Sequence, residues 1–296
     1  MKFTEEYKNI KALAQDELSV IEGLMTERID VREPLNTMLI KYLSGPSKRV
    51  RPVLGILLAK AHGETLSQKQ LEFLAVIELI HNASLIHDDI IDECGIRRGN
   101  KTIGAEYNNK LAVISGDYIL SVAMEMLNHI GNPELTGKVT QTVKQMCNGE
   151  INQDFDRFKI GTIENYLEKT KNKTAYLFET TLSGTMMLDE ETYNTYITDY
   201  ISNLGLVIGT AFQIRDDLMN VISTDKDKPS KNDLKEGIYN APVILGNPED
   251  NYMSGIEKTK ILLNNYTSTA ADLIKCLPEN KYSAALLKFS ELLENV

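Results

Sequence analysis

The sequence predicts an all-α protein folded as one domain over residues 1–296. Three observations carry that expectation. Apolar residues recur at three- and four-residue spacing in ELSVIEGLMTERI (17–29), LEFLAVIELIHNASLIHDDII (71–91), AVISGDYILSVAMEMLNHI (112–130) and ISNLGLVIGTAFQIRDDLMNVI (201–222), the pattern of buried-face helices. Stretches alternating at period two are scarce, so no sheet or hairpin is expected. Helix breakers cluster between the periodic stretches, at SGPSKRVRP (44–52), CGIRRGNKTIG (94–104), IGNPEL (130–135), DKDKPSKND (225–233), LGNPEDN (245–251) and CLPEN (276–280). None of these is long enough to act as a domain linker, and no repeat of fixed period is present.

Composition narrows the function classes. With 32 basic against 42 acidic residues the formal charge is −10, which argues against a nucleic-acid partner, because that needs a basic footprint. Three scattered cysteines, Cys94, Cys147 and Cys276, form no CxxC pair; they argue against a disulfide framework or zinc site and point to a reducing cytoplasm. The N-terminal stretch is rich in acids and lacks the apolar core of a signal peptide. Apolar runs such as LGLVIGTAF (204–212) are too short to cross a bilayer, so no transmembrane segment is expected.

The informative stretch is LIHDDIID (85–92). Three aspartates, Asp88, Asp89 and Asp92, sit among Leu85, Ile86, Ile90 and Ile91. Buried carboxylates are costly unless paired or bound to a metal. On a helix, Asp88 and Asp92 share one face, and like charges at that spacing destabilise the helix unless a cation lies between them. A second cluster of the same form, QIRDDLMN (213–220), offers Asp216 and Asp217 from another predicted helix. Magnesium takes hard oxygen ligands, keeps waters, and shares one or two carboxylates with substrate phosphates. Two facing acidic walls suit such a site. Basic loops lie beside it in sequence: Lys48, Arg49 and Arg51 in GPSKRVRP, and Arg97 and Arg98 in GIRRGNKT. Arginine forks match phosphate geometry and lysine supplies point charge. The bland alternatives are solvated acids at helix ends and surface cations that serve solubility.

Taken in order, these blocks resemble the trans-type polyprenyl diphosphate synthases of the medium- and long-chain kind, the heptaprenyl- and octaprenyl-like enzymes. GPSKRVRP is similar to the family's G-x-x-x-R-x-R-P turn, and ELIHNASLIHDDIIDECGIRRGNKT to its first aspartate-rich motif with the arginine pair that follows. SGDYIL, KTAYLFE, FQIRDDLMN and KPSKNDLKEGIYNAPVI resemble later blocks in the same order, so the match runs from about residue 45 to 245. The resemblance implies a barrel of helices around a deep apolar cavity, usually dimeric. It implies Asp88, Asp92 and Asp216 as magnesium ligands, with Asp89 and Asp217 beside them. Arg97, Lys173, Thr174, Gln213 and Lys228 would surround an allylic diphosphate such as farnesyl or geranyl diphosphate. Lys48, Arg51, His81 and Arg98 would take isopentenyl diphosphate. For His81 alone, a buried helix histidine is the ordinary reading.

The implied chemistry is ionisation of the allylic diphosphate, attack of the isopentenyl double bond on the carbocation, and loss of a proton toward the departing diphosphate. It requires no protein nucleophile, and no Ser–His–Asp order or Gly-rich phosphate loop is apparent. One turn before Asp88 stand Ala83 and Ser84, both small, where an aromatic side chain would stop chain growth early. A product longer than fifteen carbons is therefore expected, with a cavity floor near Ile80, Met124 or Leu127. Small residues there also suit close helix packing. The sequence departs from the family pattern at Asn220, where an aspartate is usual, at Asp227, where a glycine commonly stands, and over a short 223–233 loop. Beside a self-sufficient homodimeric enzyme, three readings stay open: a catalytic subunit that needs a small unrelated partner, a non-catalytic binder of prenyl diphosphates, and a terpene cyclase, for which the second diphosphate pocket would be superfluous.

Overall fold

The computed structural model describes residues 2–63, 65–188, 195–222, 236–250 and 252–296. Helices make up almost all of it. They are α1 (Lys2–Ala12), α2 (Gln15–Glu27), α3 (Leu35–Ser44), α4 (Val50–His62), α5 (Gln68–Ile91), α6 (Ile103–Glu106), α7 (Asn109–Ile130), α8 (Pro133–Phe155), α9 (Ile163–Thr170), α10 (Tyr176–Met187), α11 (Thr195–Ile222), α12 (Ala241–Ile244), α13 (Met253–Ile274) and α14 (Lys281–Glu294). A π-helical turn, Lys171–Ala175, joins α9 to α10.

Helix α5 is the centre. Ser67 and Gln70 start it with reciprocal side-chain-to-backbone hydrogen bonds, so two of the unpaired N–H groups at its first turn are satisfied. Phe73, Leu74, Ala75, Val76, Ile77, Leu79 and Ile80 follow, all buried on successive sides of the helix. A helix apolar all round must be enclosed by others, and α2, α4, α7 and α10 enclose this one. Helix α11 packs against α10, α13 and the π turn. Gly205 and Gly209, one turn apart, set the closeness of α11 to α10. A Cβ at Gly205 would stand 2.5 Å from the Glu179 Cα, and one at Gly209 would stand 2.7 Å from the Ala175 Cα.

One expectation needs correction. Ile96–Arg97 and Asn100–Lys101 pair as a minimal antiparallel hairpin, β1–β2, with Ile96 opposite Lys101. Its two turn residues, Arg98 and Gly99, both have positive φ, 52° and 77°. That is the backbone of a hairpin turn whose twist suits the strands, and with arginine in the first position it carries no familiar sequence signal. Helix α7 bears on the expectation that no segment crosses a membrane. By length and composition alone Asn109–Ile130 could cross a membrane, with 44% of its apolar window buried. No single apolar run there is long, because Asp117 and Glu125 interrupt it. Its buried side, Ala112, Ile119, Ala123 and Met126 among others, faces α5, as in a core helix.

Replacing Gly205 with alanine is expected to destabilise the fold by about 1–3 kcal/mol, the usual cost of overpacking. The check is a lowered thermal midpoint with unchanged helix content in circular dichroism.

Candidate active site

A cavity of about 1280 Å³ opens between α5, α8, the π turn and α11. The α5 wall contributes Asp88 and Asp92, and the α11 wall contributes Asp216, Asp217 and Asn220. Asp88 closes the last hydrogen-bonded turn of α5, since its carbonyl accepts from the Asp92 N–H at 2.8 Å. The two carboxylates therefore keep helical spacing although Asp92 is already the helix cap. Lys48, Arg51, His81, Arg97, Arg98, Lys173, Thr174 and Gln213 line the same cavity, as do Ala83 and Ser84. So the residues singled out from the sequence converge, with two exceptions. Asp89 is not among the lining residues. Lys228, like Asp227, lies outside the described residues.

Asp89 is buried, and it accepts from the Arg97 Nε at 2.5 Å. Burial lifts its carboxyl and the guanidinium opposes that lift. Its place is behind Arg97, holding that fork toward the cavity. Asp217 is also buried, with both oxygens engaged: Tyr166 donates to one at 2.6 Å and Gln213 to the other at 2.9 Å. Thr174 donates in turn to Gln213 at 2.8 Å. This chain fixes the Gln213 amide and the Thr174 hydroxyl relative to α11. Burial pushes Asp217 up to about 7, against those two donors and Lys169.

Lys173 and Thr174 sit in the π turn. Such turns insert one extra residue into helical geometry and recur at functional sites. The Lys173 ammonium meets Glu150 at 2.6 Å, and Gln153 steadies Glu150 at 3.1 Å. Burial lowers the Lys173 pKa, but Glu150, Asp88 and Asp92 more than offset this and hold it above the usual value. Asp88 moves the other way. Burial pushes it up to about 6, with Glu150 and Asp92 adding and Lys173 and Arg97 opposing.

The second basic group is built differently. Arg51 is enclosed, stacks over the Phe178 ring at 4.5 Å, and its Nε is buried without a protein partner. Burial brings its pKa down to about 10, so it stays cationic at neutral pH. Burial, with Arg51, Arg98, Arg97 and Arg49 nearby, holds His81 well below the ordinary histidine value, hence neutral. Arg49 is no free cation. It is buried with Glu78 at 2.8 Å and Glu22 at 3.2 Å, and it also donates to the Leu43 carbonyl. It pins the Gly45–Arg49 turn from below.

The apolar part of the cavity is lined by Ile80, Leu120, Val143 and Met146 as well as Ala83 and Ser84. On α7 the lining residue is Leu120. Met124 packs against the core, and Leu127 is fully buried in it. Sequence reasoning missed Glu150 and Tyr166, because neither repeats a spacing or sits in a charge cluster. It also missed Phe178 as the platform under Arg51.

The donor set fits a hard divalent cation shared with a phosphate. Among the described residues no three His, Cys, Asp or Glu side chains form a group that could hold a metal ion without further ligands. Carboxylates on two facing walls leave coordination positions for water and phosphate oxygens, which suits magnesium-like ions.

Comparison with known proteins agrees. The polyprenyl synthetase family model matches residues 32–277, and the chain belongs to that family, the trans-prenyl diphosphate synthases. It is 32% identical over 267 residues to a prenyl transferase of Porphyra purpurea, covering 88% of this chain and 82% of that protein. It is 31% identical over 296 residues to heptaprenyl diphosphate synthase component 2 of Bacillus subtilis (strain 168), covering 97% and 80%. The crystal structure of heptaprenyl diphosphate synthase from Staphylococcus aureus superposes with a TM-score of 0.88 at 26% identity, covering 95% of this chain and 98% of that one.

Burial pushes Asp88 up to about 6, so protons would compete below that pH with any cation held by its carboxylate. Divalent-cation affinity is expected to be level above about pH 7 and to fall roughly tenfold per unit below 6, one proton per site. Calorimetric titration of manganese between pH 5 and 8 measures it.

Proposed function

We propose that the enzyme condenses isopentenyl diphosphate with an allylic diphosphate, farnesyl or geranyl, and releases a polyprenyl diphosphate longer than fifteen carbons. The observation that carries this reading is one cavity with acidic walls and two cationic groups at one part and small apolar side chains at the other. Asp88, Asp92 and Asp216 would hold Mg2+, which when bound neutralises charge on the leaving diphosphate. Arg97, Lys173, Thr174 and Gln213, with Lys228, would grip the allylic diphosphate. Lys48, Arg51, neutral His81 and Arg98 would take the isopentenyl diphosphate.

The work of the side chains follows from that arrangement. Positive groups aimed at the diphosphate stabilise the charge that develops as the allylic C–O bond breaks. The bond's electron pair leaves with the diphosphate. The isopentenyl double bond then supplies the electrons of the new C–C bond. The carbocation this forms loses a proton, for which the released diphosphate is the available base. Apolar walls exclude water, which would otherwise capture the cation. Ala83 and Ser84 leave room for the chain to extend along α5, with about 5.4 Å per helical turn.

A second reading keeps the same chemistry but adds a small partner subunit. It is favoured by the likeness to a relative named as component 2 of a heptaprenyl diphosphate synthase. Exposed Val113 and Ile114 on α7 suit a subunit contact in either case, homodimer or heteromer. A cytoplasmic setting fits the three unpaired cysteines.

Purified alone with farnesyl diphosphate, isopentenyl diphosphate and Mg2+, the enzyme is expected to give products above fifteen carbons by mass spectrometry. Activity that appears only with a partner would favour the second reading, and no condensation under either condition would refute both. Asp88→Ala is expected to lower kcat/KM by at least about 10²-fold, the scale for losing one charge-stabilising group. Ala83→Phe is expected to shorten the product while condensation persists, read from the same product masses.

A further inference from the structure

Helix α1 contributes nothing to the cavity lining, yet three of its side chains end on the turn that presents Lys48. The Tyr7 hydroxyl donates to the Lys48 carbonyl at 3.0 Å. The Lys11 ammonium donates to the Ser47 carbonyl at 2.9 Å. The Lys48 ammonium itself lies over the Phe3 ring, 5.3 Å from its centroid. These contacts join residues some forty positions apart, so they are a tertiary choice and not a by-product of local geometry.

The anchoring end is rigid. Phe3 and Tyr7 are both buried and stacked, with ring centroids 5.9 Å apart at 10°, and Tyr7 packs in turn on Phe289 of α14. Arg215, next to Asp216, also lies over Phe3, its Cζ 4.0 Å from the centroid. The turn at the other end needs such support. It holds Gly45, Pro46 and Ser47, and Arg49 fastens it from beneath. A lysine that must meet an anion loses rotamer freedom in doing so. A shelf that restricts it beforehand reduces that loss at binding.

We propose that α1 is a positioning element of the isopentenyl diphosphate pocket: Tyr7 and Lys11 hold the carbonyls of the Lys48 turn, and Phe3 orients the Lys48 ammonium. This rests on the reading that Lys48 belongs to that pocket. Neither Tyr7 nor Lys11 touches substrate; both act through Lys48. The geometry therefore separates the two substrates. The Tyr7 and Lys11 hydrogen bonds both end on the Lys48 turn, whereas α1 meets the α11 wall through Phe3 beneath Arg215, a contact that the Tyr7 and Lys11 variants leave in place.

The test uses the full chain carrying Tyr7→Phe and Lys11→Met together, which removes both tethers and keeps the Tyr7 ring in its stack. The KM for isopentenyl diphosphate is expected to rise about 5- to 30-fold, the scale of two lost hydrogen bonds. The KM for farnesyl diphosphate should stay within about twofold and the thermal midpoint within a few degrees. Tyr7→Phe alone should give a smaller change of the same kind, and it guards against a double variant that folds poorly. Unchanged kinetics, or a parallel loss for both substrates, would overturn the proposal and leave α1 a packing helix. Calorimetry of the unmutated protein with isopentenyl diphosphate distinguishes the two levels. No binding there would remove the pocket itself, whereas normal binding with unchanged variants would remove only the role of α1.

Discussion

Asp88 is held in a half-buried position at the end of an apolar helix, close to Asp92, Glu150 and Lys173, and its carboxyl is pushed up to about 6. Negative charge gathered in partly desolvated surroundings is unstable by itself. Much of the surrounding structure answers that constraint. The π turn brings Lys173 between Glu150 and Asp88, the hairpin returns Arg97 to Asp89, and Tyr166 with Gln213 satisfies Asp217. Asp88, Asp92 and Asp216 line the cavity from its two walls, where a divalent cation and a diphosphate would meet them.

The two cationic groups meet this constraint in different ways. Around the π turn and the hairpin the cations Lys173 and Arg97 are paired with the carboxylates of Glu150 and Asp89. Around the Lys48 turn Arg51 is buried over Phe178 with an unpaired Nε, and Arg49 carries two ion pairs that hold the turn in place. A buried donor without a partner is costly unless a ligand supplies the acceptor. The first group thus suits an exchange of partners, and the second offers donors suited to an anion. Helix α1 belongs to the second design, because it stiffens the turn from outside the cavity.

Helix positions were legible because burial imposes its period directly on residue type, and breakers marked the junctions at 44–52, 94–104, 130–135, 245–251 and 276–280, though not those at 13–14 or 156–162. The first aspartate motif was legible for a related reason. Three acids in an apolar run conflict with local preference, and such conflicts mark function. Asp217 was legible as an acid but not as a satisfied one, since its partner Tyr166 lies 51 residues away. Glu150 was invisible because its meaning comes from Lys173, two elements later. The hairpin at Arg98–Gly99 escaped because arginine takes the positive-φ position where asparagine is the usual signal.

The account stands on a cation bridging the two helical walls while a diphosphate lies between them. A crystal structure with manganese and the non-reactive thiolodiphosphate analogue of farnesyl diphosphate tests this most directly, because anomalous scattering locates the metal independently of any assumed site. The account predicts manganese within bonding distance of Asp88 and Asp92 on one side and Asp216 on the other, with the diphosphate against Lys173 and Arg97. The hydrocarbon tail should run past Ser84 and Ala83 toward Ile80. Manganese bound elsewhere, or a diphosphate seated away from both aspartate walls, would contradict it.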